Sequence, residues 1–454
     1  MLIYGLVPGS ATSSSLEVWV GVMSLNEMPA IPANAELENV TTGTRTPIGN
    51  WLQWQVPDGS AGLVFARVVV DHLQPRKSYD LRLLVGSAEK ANASASTLPD
   101  ALPGKEDRPF TLMLGSCFCA ARDGGGTVGK TFASLPQALR PEMKLLCGDQ
   151  VYLDSPFYRF LLPHSQQDLA ETFLKNYINT WTQGGDLQGF QKVLTGGAAW
   201  LSSDDHEFWN NAPYPSFSVN TWTKEGRCDW WMLASGLYDA FQMPSPQATR
   251  EYAIGDLRIF IADTRIERSA DRTTFLNQAD MDKLVSWVKG LTFPAILVIG
   301  QPIFDKQSSP LGKFVDWNLP DFEQYQDLCR VLFNAPQSII VLTGDVHFGR
   351  VARTITHQGI EVVEVIASPM SLVSDLGKPS WQPAPQRFPS FAVPGIASSE
   401  VKTIDTWDRA VNHFLLLELW QEGARLAFRV RTCETDAQTP PAQAVFEYSL
   451  GRAM

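Results

Sequence analysis

Positions 201–211 read LSSDDHEFWNN, which places Asp204, Asp205, His206 and Glu207 side by side between Trp200 and Trp209. In a solvated turn such a cluster would simply face water. Aromatic flanks argue against water, and buried anions need a positive partner, either an arginine or a metal ion. The rest of the chain decides between them. Ser116 and Cys117 close the apolar run FTLMLGS, and Asp149 closes MKLLCGD. Asp263 and Arg265 follow RIFIADT, Gln301 follows AILVIG, and Asp345 with His347 follow SIIVLTG. A lone Gly-Asp after a strand is weak evidence, because Asp also serves turns and helix caps. Run after run ending in potential ligands is much stronger. The thiol, the imidazole and the phenol of Tyr152 join the carboxylates in a mixed donor set. Thiolate and imidazole suit a transition metal, whereas carboxylates suit Ca²⁺, Mg²⁺ or Mn²⁺. A carboxylate such as Asp149 can bridge two ions, and a pair of cations stabilises both the entering and the leaving oxygen of a phosphoryl displacement. The expected partner of the cluster is therefore a metal ion.

For these residues to meet, the apolar runs must be neighbouring strands with their polar ends on one rim. Between the runs lie QQDLAETFLKNYINTW and NQADMDKLVSWVKG, whose apolar residues recur at spacings of three and four and predict helices. Short buried strands alternating with helices give an α/β architecture, in which ligands gather outside the carboxyl ends of the strands. The first hundred residues differ. LEVWVGV alternates, and GLVFARVVVDHL and SYDLRLLVGS are strand-rich, so residues 1–100 read as a fibronectin- or immunoglobulin-like β-sandwich. It would lack the inter-sheet disulfide, since the first cysteine is Cys117. Residues 94–109 form a linker of small residues and prolines, and the catalytic domain is expected over 108–454. HFLLLELW, ARLAFRVRT and AVFEYSL read as hairpins that close it. Positions 381–395 are Pro-rich and read as a long loop of the kind that lines a site. Positions 211–231 read as an aromatic insertion, with Tyr214, Phe217 and Trp222 as a lid over the pocket or else as packing.

Composition narrows the function classes. At 454 residues the chain exceeds the size at which single cores stop growing, and 14 Trp with 24 Phe supply ample core. Lys+Arg 37 against Asp+Glu 48 leaves a net charge of −11 with no basic tract, which argues against a nucleic-acid partner. No apolar run reaches the ~18 residues of a membrane span. The N-terminus shows neither a basic leader nor a twin arginine, so a cytoplasmic location is expected, an exported mature form being the alternative. Six cysteines are too few for a disulfide scaffold of this size.

Five motifs in order, GSC (115–117), GDQVY (148–152), DDHEFWNN (204–211), DTR (263–265) and GDVHF (344–348), resemble those of the alkaline phosphatase D family of metallophosphoesterases. The resemblance covers about 110–430. It implies a four-layer α/β/β/α sandwich behind the N-terminal β-sandwich. It also implies a ferric ion with calcium, zinc or manganese being alternatives, and hydrolysis of small-molecule phosphomonoesters or phosphodiesters by metal-activated in-line attack on phosphorus. On this resemblance Cys117, Asp149, Tyr152 and His347 hold the iron. Asp149 bridges to calcium, which Asp205, Asn211 or Asn210, and Asp345 complete. His206 lies over the phosphate as donor to the leaving group, Glu207 orients it, and Arg265 holds a phosphate oxygen. Asp204 is either a ligand or a support for one, and Asp154 reads as a turn residue. The chain departs from the pattern in lacking the export signal and in carrying Gln301 where general metallophosphoesterases often have a metal-binding His. A phospholipase D- or phosphotriesterase-type hydrolase of the same superfamily is an alternative. So is a non-catalytic binding protein on a hydrolase core, although no key ligand is missing.

Overall fold

The computed structural model of the protein describes residues 1–49, 53–60, 62–155, 165–182, 189–216, 219–242, 247–308, 317–372, 383–407, 411–435 and 443–451. Seven strands come first: β1 (Ile3–Ala11), β2 (Leu16–Met23), β3 (Ala35–Asn39), β4 (Thr44–Ile48), β5 (Leu63–Val70), β6 (Ser78–Val85) and β7 (Ala88–Ser96). After them come β8 (Phe110–Gly115), α1 (Thr127–Ala133), β9 (Met143–Cys147), α2 (Gln166–Trp181), α3 (Phe190–Thr195), β10 (Ala199–Ser202) and α4 (Lys224–Phe241). The chain continues through β11 (Thr249–Ile254), β12 (Leu257–Ala262), α5 (Gln278–Lys289), β13 (Ala295–Val298), α6 (Tyr325–Phe333), β14 (Ile339–Thr343), β15 (Gly349–Ile355) and β16 (Glu361–Ile366). It ends with β17 (Arg387–Phe388), β18 (Ser399–Trp407), β19 (His413–Glu422), β20 (Arg425–Glu434) and β21 (Gln443–Leu450).

The N-terminal strands form a sheet of order β1-β2-β5 and a sheet of order β4-β3-β6-β7. Alternate residues, Val18, Val20 and Val22 of β2 with Leu37, Leu81 and Leu83, share one buried core. The sequence alternation in β2 suggests a half-solvated strand, yet nearly all of it is buried. The reason is a second partner: Trp19 and Met23 join the core built by α2 and α4, and Trp19 Nε1 donates to Ala240 O at 2.8 Å.

The same alternation produces the four layers of the larger part. Leu112 and Leu114 of β8 meet Ile259, Ile261, Ile296, Val298, Ile340 and Leu342 in a core between the two large sheets. Met113, one position out of phase, packs instead with Val128, Phe173, Trp181 and Leu237 of α1, α2 and α4. Phe260, Leu297 and Val341 pack on Met281 and Leu284 of α5 and Leu328 of α6. Strand order is β10-β9-β8-β19-β20-β21 in one sheet and β11-β12-β13-β14-β16-β15-β18-β17 in the other. β8, β9 and β10 run parallel, as do β12, β13, β14 and β16. Their carboxyl ends meet on one rim, where Ser116 Oγ donates to Ala367 O at 2.8 Å and Ser203 N donates to Asp263 Oδ2 at 2.8 Å.

Two loop expectations change. Positions 224–231 are the first turns of α4, where Trp230 Nε1 donates to Phe208 O at 2.5 Å and Trp231 stacks on Phe208 at 4.3 Å. That half of the aromatic segment is packing, while Phe217 lies outside the described residues. In the Pro-rich segment, Phe388 and Phe391 pack on Phe333 and Tyr325 of α6 (5.5 and 5.8 Å), so this part covers a helix. Positions 381–382 lie outside the described residues.

His413, 1% exposed at the start of β19, carries a testable pH dependence. Burial pushes its pKa down to about 4, so it folds neutral, whereas the unfolded chain protonates it near 6.5. The unfolded state then binds more protons between those values, and stability falls as pH drops through that window. The expected loss is about 3 kcal/mol. Urea midpoints at pH 7 and pH 4.5 should converge in His413→Leu relative to the parent.

Candidate metal centre

The turns after β8, β9, β10, β12, β13 and β14 each deliver residues singled out in the sequence. Among the described residues nine non-glycine positions have positive φ, and five of them are Cys117 (55°), Asp149 (58°), Asn211 (65°), Asp345 (70°) and His347 (55°). Left-handed backbone at non-glycine residues costs of order 1 kcal/mol each and persists only where the surroundings enforce it. Gly148 shows the enforcement: its φ is 91°, and a Cβ there would lie 2.4 Å from Asp204 Cβ. The turns after β9 and β10 are pressed together.

Glu207 ties these turns. Its carboxylate accepts Asp149 N (2.8 Å), Gln150 N (2.6 Å), Asp204 N (2.9 Å) and Gln242 Nε2 (3.3 Å), and burial still pushes its pKa up to about 7. The expectation that Glu207 orients His206 is therefore corrected, because its oxygens are engaged by these four donors. The group that meets the imidazole is Asp154. Fully buried, it places both oxygens on His206 Nδ1 (2.8 and 3.0 Å) and accepts Asn210 N at 2.8 Å. Asp154 is thus no mere turn residue. Its position two residues past Tyr152 was the available signal. Burial alone would depress the His206 pKa, but Asp154, Asp205 and Asp149 outweigh it and raise it well above 6.5. The His206 ring also stacks on Tyr152, centroids 4.1 Å apart.

Asp149 sits at the middle. Cys117 Sγ and Tyr152 OH each lie 3.4 Å from its Oδ2, and its Oδ1 accepts His206 N at 3.1 Å. Burial drives the Asp149, Cys117 and Tyr152 pKa values well above their usual ranges. Ser368, just past β16, donates to Cys117 Sγ (3.2 Å) and accepts His347 N (3.0 Å). It ends one more apolar strand and belongs with the others. Asp205 accepts Asn211 N, and Asp345 accepts Gln301 Nε2 at 2.9 Å.

Arg265 departs from its expected role. It is 1% exposed, paired with Asp204 Oδ1 and donating to Ala212 O at 3.0 Å, so its guanidinium faces a carboxylate and a carbonyl. It neutralises Asp204 within the buried cluster.

The arrangement fits cations. Ligand atoms of Asp149, Asp205 and His206 lie within 4.8 Å of one another, as do those of Asp204, Asp205 and Asp345. Among the described residues, no Lys or Arg donates to the Asp149 or Asp205 carboxylates. Asp204 Oδ2 and Asn211 Oδ1 are buried acceptors that no donor satisfies. Such acceptors are costly unless something positive meets them.

No family model matches the chain, and no curated protein is detectably similar to it in sequence. Among solved structures, that of PhoD aligns over 97% of this chain and 91% of its own, with a TM-score of 0.64 and 16% identity. The chain has the fold of PhoD. GAP50, the anchor in the inner membrane complex of Plasmodium, aligns over 76% of this chain and 89% of its own at 13% identity, with a TM-score of 0.38. That second likeness carries no argument.

Within the PhoD fold, a cavity of about 240 Å³ opens beside Tyr152, lined by Cys119, Val151, Ser155, Asn176 and Thr180. A larger one of about 540 Å³ between the N-terminal strands and α2 and α4 shares no residue with the carboxylate cluster. No helix among the described residues is long and apolar enough to cross a membrane.

Proposed function

We propose that the protein is a metal-dependent phosphoester hydrolase, acting on phosphodiesters or phosphomonoesters. The observation that carries the reading is the buried surplus of carboxylates, with Asp204 Oδ2 and Asn211 Oδ1 unsatisfied, at the joined carboxyl ends of two sheets in a chain with the PhoD fold. Cys117, Asp149, Tyr152 and His347 would hold one ion, a donor set suited to ferric iron, with zinc or manganese as substitutes. Asp205, Asn211 and Asp345 would hold a harder ion such as calcium, with Asp149 reaching both. Bound cations neutralise charge on the phosphoryl oxygens and activate the attacking water.

The protein's own groups do the rest. Asp154 occupies His206 Nδ1 and so fixes the ring, leaving Nε2 to donate a proton to the departing oxygen. Arg265 and Glu207 hold Asp204 and the 148–150 turn rigid, so the ligands need no rearrangement. The cavity beside Tyr152 offers room for the organic part of the ester.

Phenolate and thiolate ligands donate charge to ferric iron in visible light, which zinc with its filled d-shell cannot accept. Concentrated protein should therefore be coloured, and dithionite should bleach it. Tyr152→Phe removes only a hydroxyl and should shift or weaken the band while leaving the melting temperature within a few degrees. Full activity towards bis(p-nitrophenyl) phosphate in colourless protein loaded with zinc would overturn the iron assignment but leave the hydrolase reading standing.

A further inference from the structure

One edge of the centre carries positive charge that the chemistry described above does not use. Arg268, 5% exposed, donates to Gln301 Oε1 at 2.9 Å, and Gln301 in turn donates to Asp345. Its other terminal nitrogen points to Trp317 O at 3.4 Å. Through its backbone carbonyl, Trp317 is thus linked to the Asp345 carboxylate by way of Arg268 and Gln301. Tyr214 flanks it, with ring centroids 5.6 Å apart. Tyr214 is itself tied to the centre, because its N–H donates to Asn211 O at 3.0 Å.

Arg272 lies on the Trp317 ring, its guanidinium carbon 4.3 Å from the centroid. Among the described residues this aromatic face is its side chain's contact, and no carboxylate or carbonyl takes its N–H groups. The nearby Asp271 carboxylate accepts instead from Thr273 N and Oγ1 (3.0 and 2.7 Å). Arg272 is also one of the nine non-glycine residues at positive φ (65°), held there as its carbonyl accepts Glu323 N at 3.0 Å. A long side chain kept in a disfavoured backbone conformation and placed over an aromatic ring, its donors meeting no acceptor among the described residues, is preorganised for an oxyanion. In a chain of net charge −11, that no described carboxylate takes these donors is informative.

We propose that Arg272, laid on Trp317 beside Tyr214, is a specificity-determining residue that binds a second oxyanion of the substrate. The preferred substrates are then phosphoesters that carry a further carboxylate or phosphate beyond the scissile group. This rests on the hydrolase reading and adds the substrate's charge to it. An arginine–tryptophan stack that merely pins the 317 segment is the structural alternative, and it would affect all esters alike.

The test compares p-nitrophenyl phenyl phosphate with two analogues that bear a carboxylate or a phosphate on the phenyl ring, following p-nitrophenol release. The parent should favour at least one charged analogue by about tenfold in kcat/KM, the worth of one charge-assisted contact. Arg272→Gln should bring that ratio close to one, and Arg272→Lys should keep part of it. A parent ratio of one, or an equal loss on all three esters in Arg272→Gln, overturns the proposal. If no ester is cleaved, it is the hydrolase reading that fails. The anion site is then read by calorimetry with phenylphosphonate and carboxyphenylphosphonate. Tighter binding of the second that disappears in Arg272→Gln sustains it, and equal binding of the two overturns it.

Discussion

Asp149→Asn is expected to abolish phosphoester hydrolysis, by at least about 10³-fold in kcat, while making the metal-free protein more stable. The two effects share one cause. Asp149 is a buried carboxylate that accepts His206 N and lies within 3.4 Å of both Cys117 Sγ and Tyr152 OH. On the proposed reading Asp149 would serve both ion positions, so its loss would remove the charge stabilisation that bound cations supply. Without metal, the same carboxylate is a charge that burial opposes and that Asp204, Asp205 and Glu207 repel. Asparagine keeps the acceptor for His206 N and removes the charge, which should raise the metal-free stability by about 1–3 kcal/mol. Urea denaturation of the chelated proteins checks the sign. Lower stability of the variant with and without metal would mean that the carboxylate serves the fold instead.

The second large effect is expected at Asp154→Asn, a fall in kcat of about 10²–10³-fold with unchanged metal content. Asp154 binds the ring of His206 and the Asn210 N–H, and no side-chain ligand atom of the proposed ions, so its expected role is to position that ring. Of the three carboxylates that raise the His206 pKa, it is the one in hydrogen-bonding contact with the ring. Removing its charge should lower the pKa at which His206 loses its proton. The alkaline limb of the kcat/KM profile should then move to lower pH, which a purely structural defect would not do. His206→Asn should be no slower than the double variant His206→Asn/Asp154→Asn, since the pair acts as one unit.

Much of this was legible in the sequence, and the exceptions have physical reasons. Strand ends could be read because apolar runs stop abruptly at Cys117, Asp149, Asp204, Asp263, Gln301 and Asp345. Two-sided burial followed from doubly apolar strands such as β14, buried throughout, whereas the four layers were implied by the family resemblance alone. Partnerships between side chains could not be read. Glu207 is adjacent to His206 in sequence, yet its carboxylate turns to the backbone of Asp149 and Asp204, while Asp154, 52 positions from His206, takes the ring. Arg265 looked free for a phosphate because nothing local shows that Asp204 is waiting for it. For the aromatic segment 211–231 the sequence left lid and packing as alternatives, and its last part, the start of α4, proves to be packing, since Trp230 and Trp231 serve Phe208. Local pattern gives positions along the chain, and pairing is decided by tertiary geometry.

The central claim, that this rim is a metal centre which cleaves phosphoesters, is tested most directly on one sample. Metal content is measured by inductively coupled plasma mass spectrometry and bis(p-nitrophenyl) phosphate hydrolysis is followed, before chelation, after it and on adding back iron and calcium. The account predicts about two ions per chain, loss of activity with their removal, recovery on their return, and neither ions nor activity in Asp149→Ala. Full hydrolysis by metal-free protein, or equal metal content in Asp149→Ala and the parent, would contradict it.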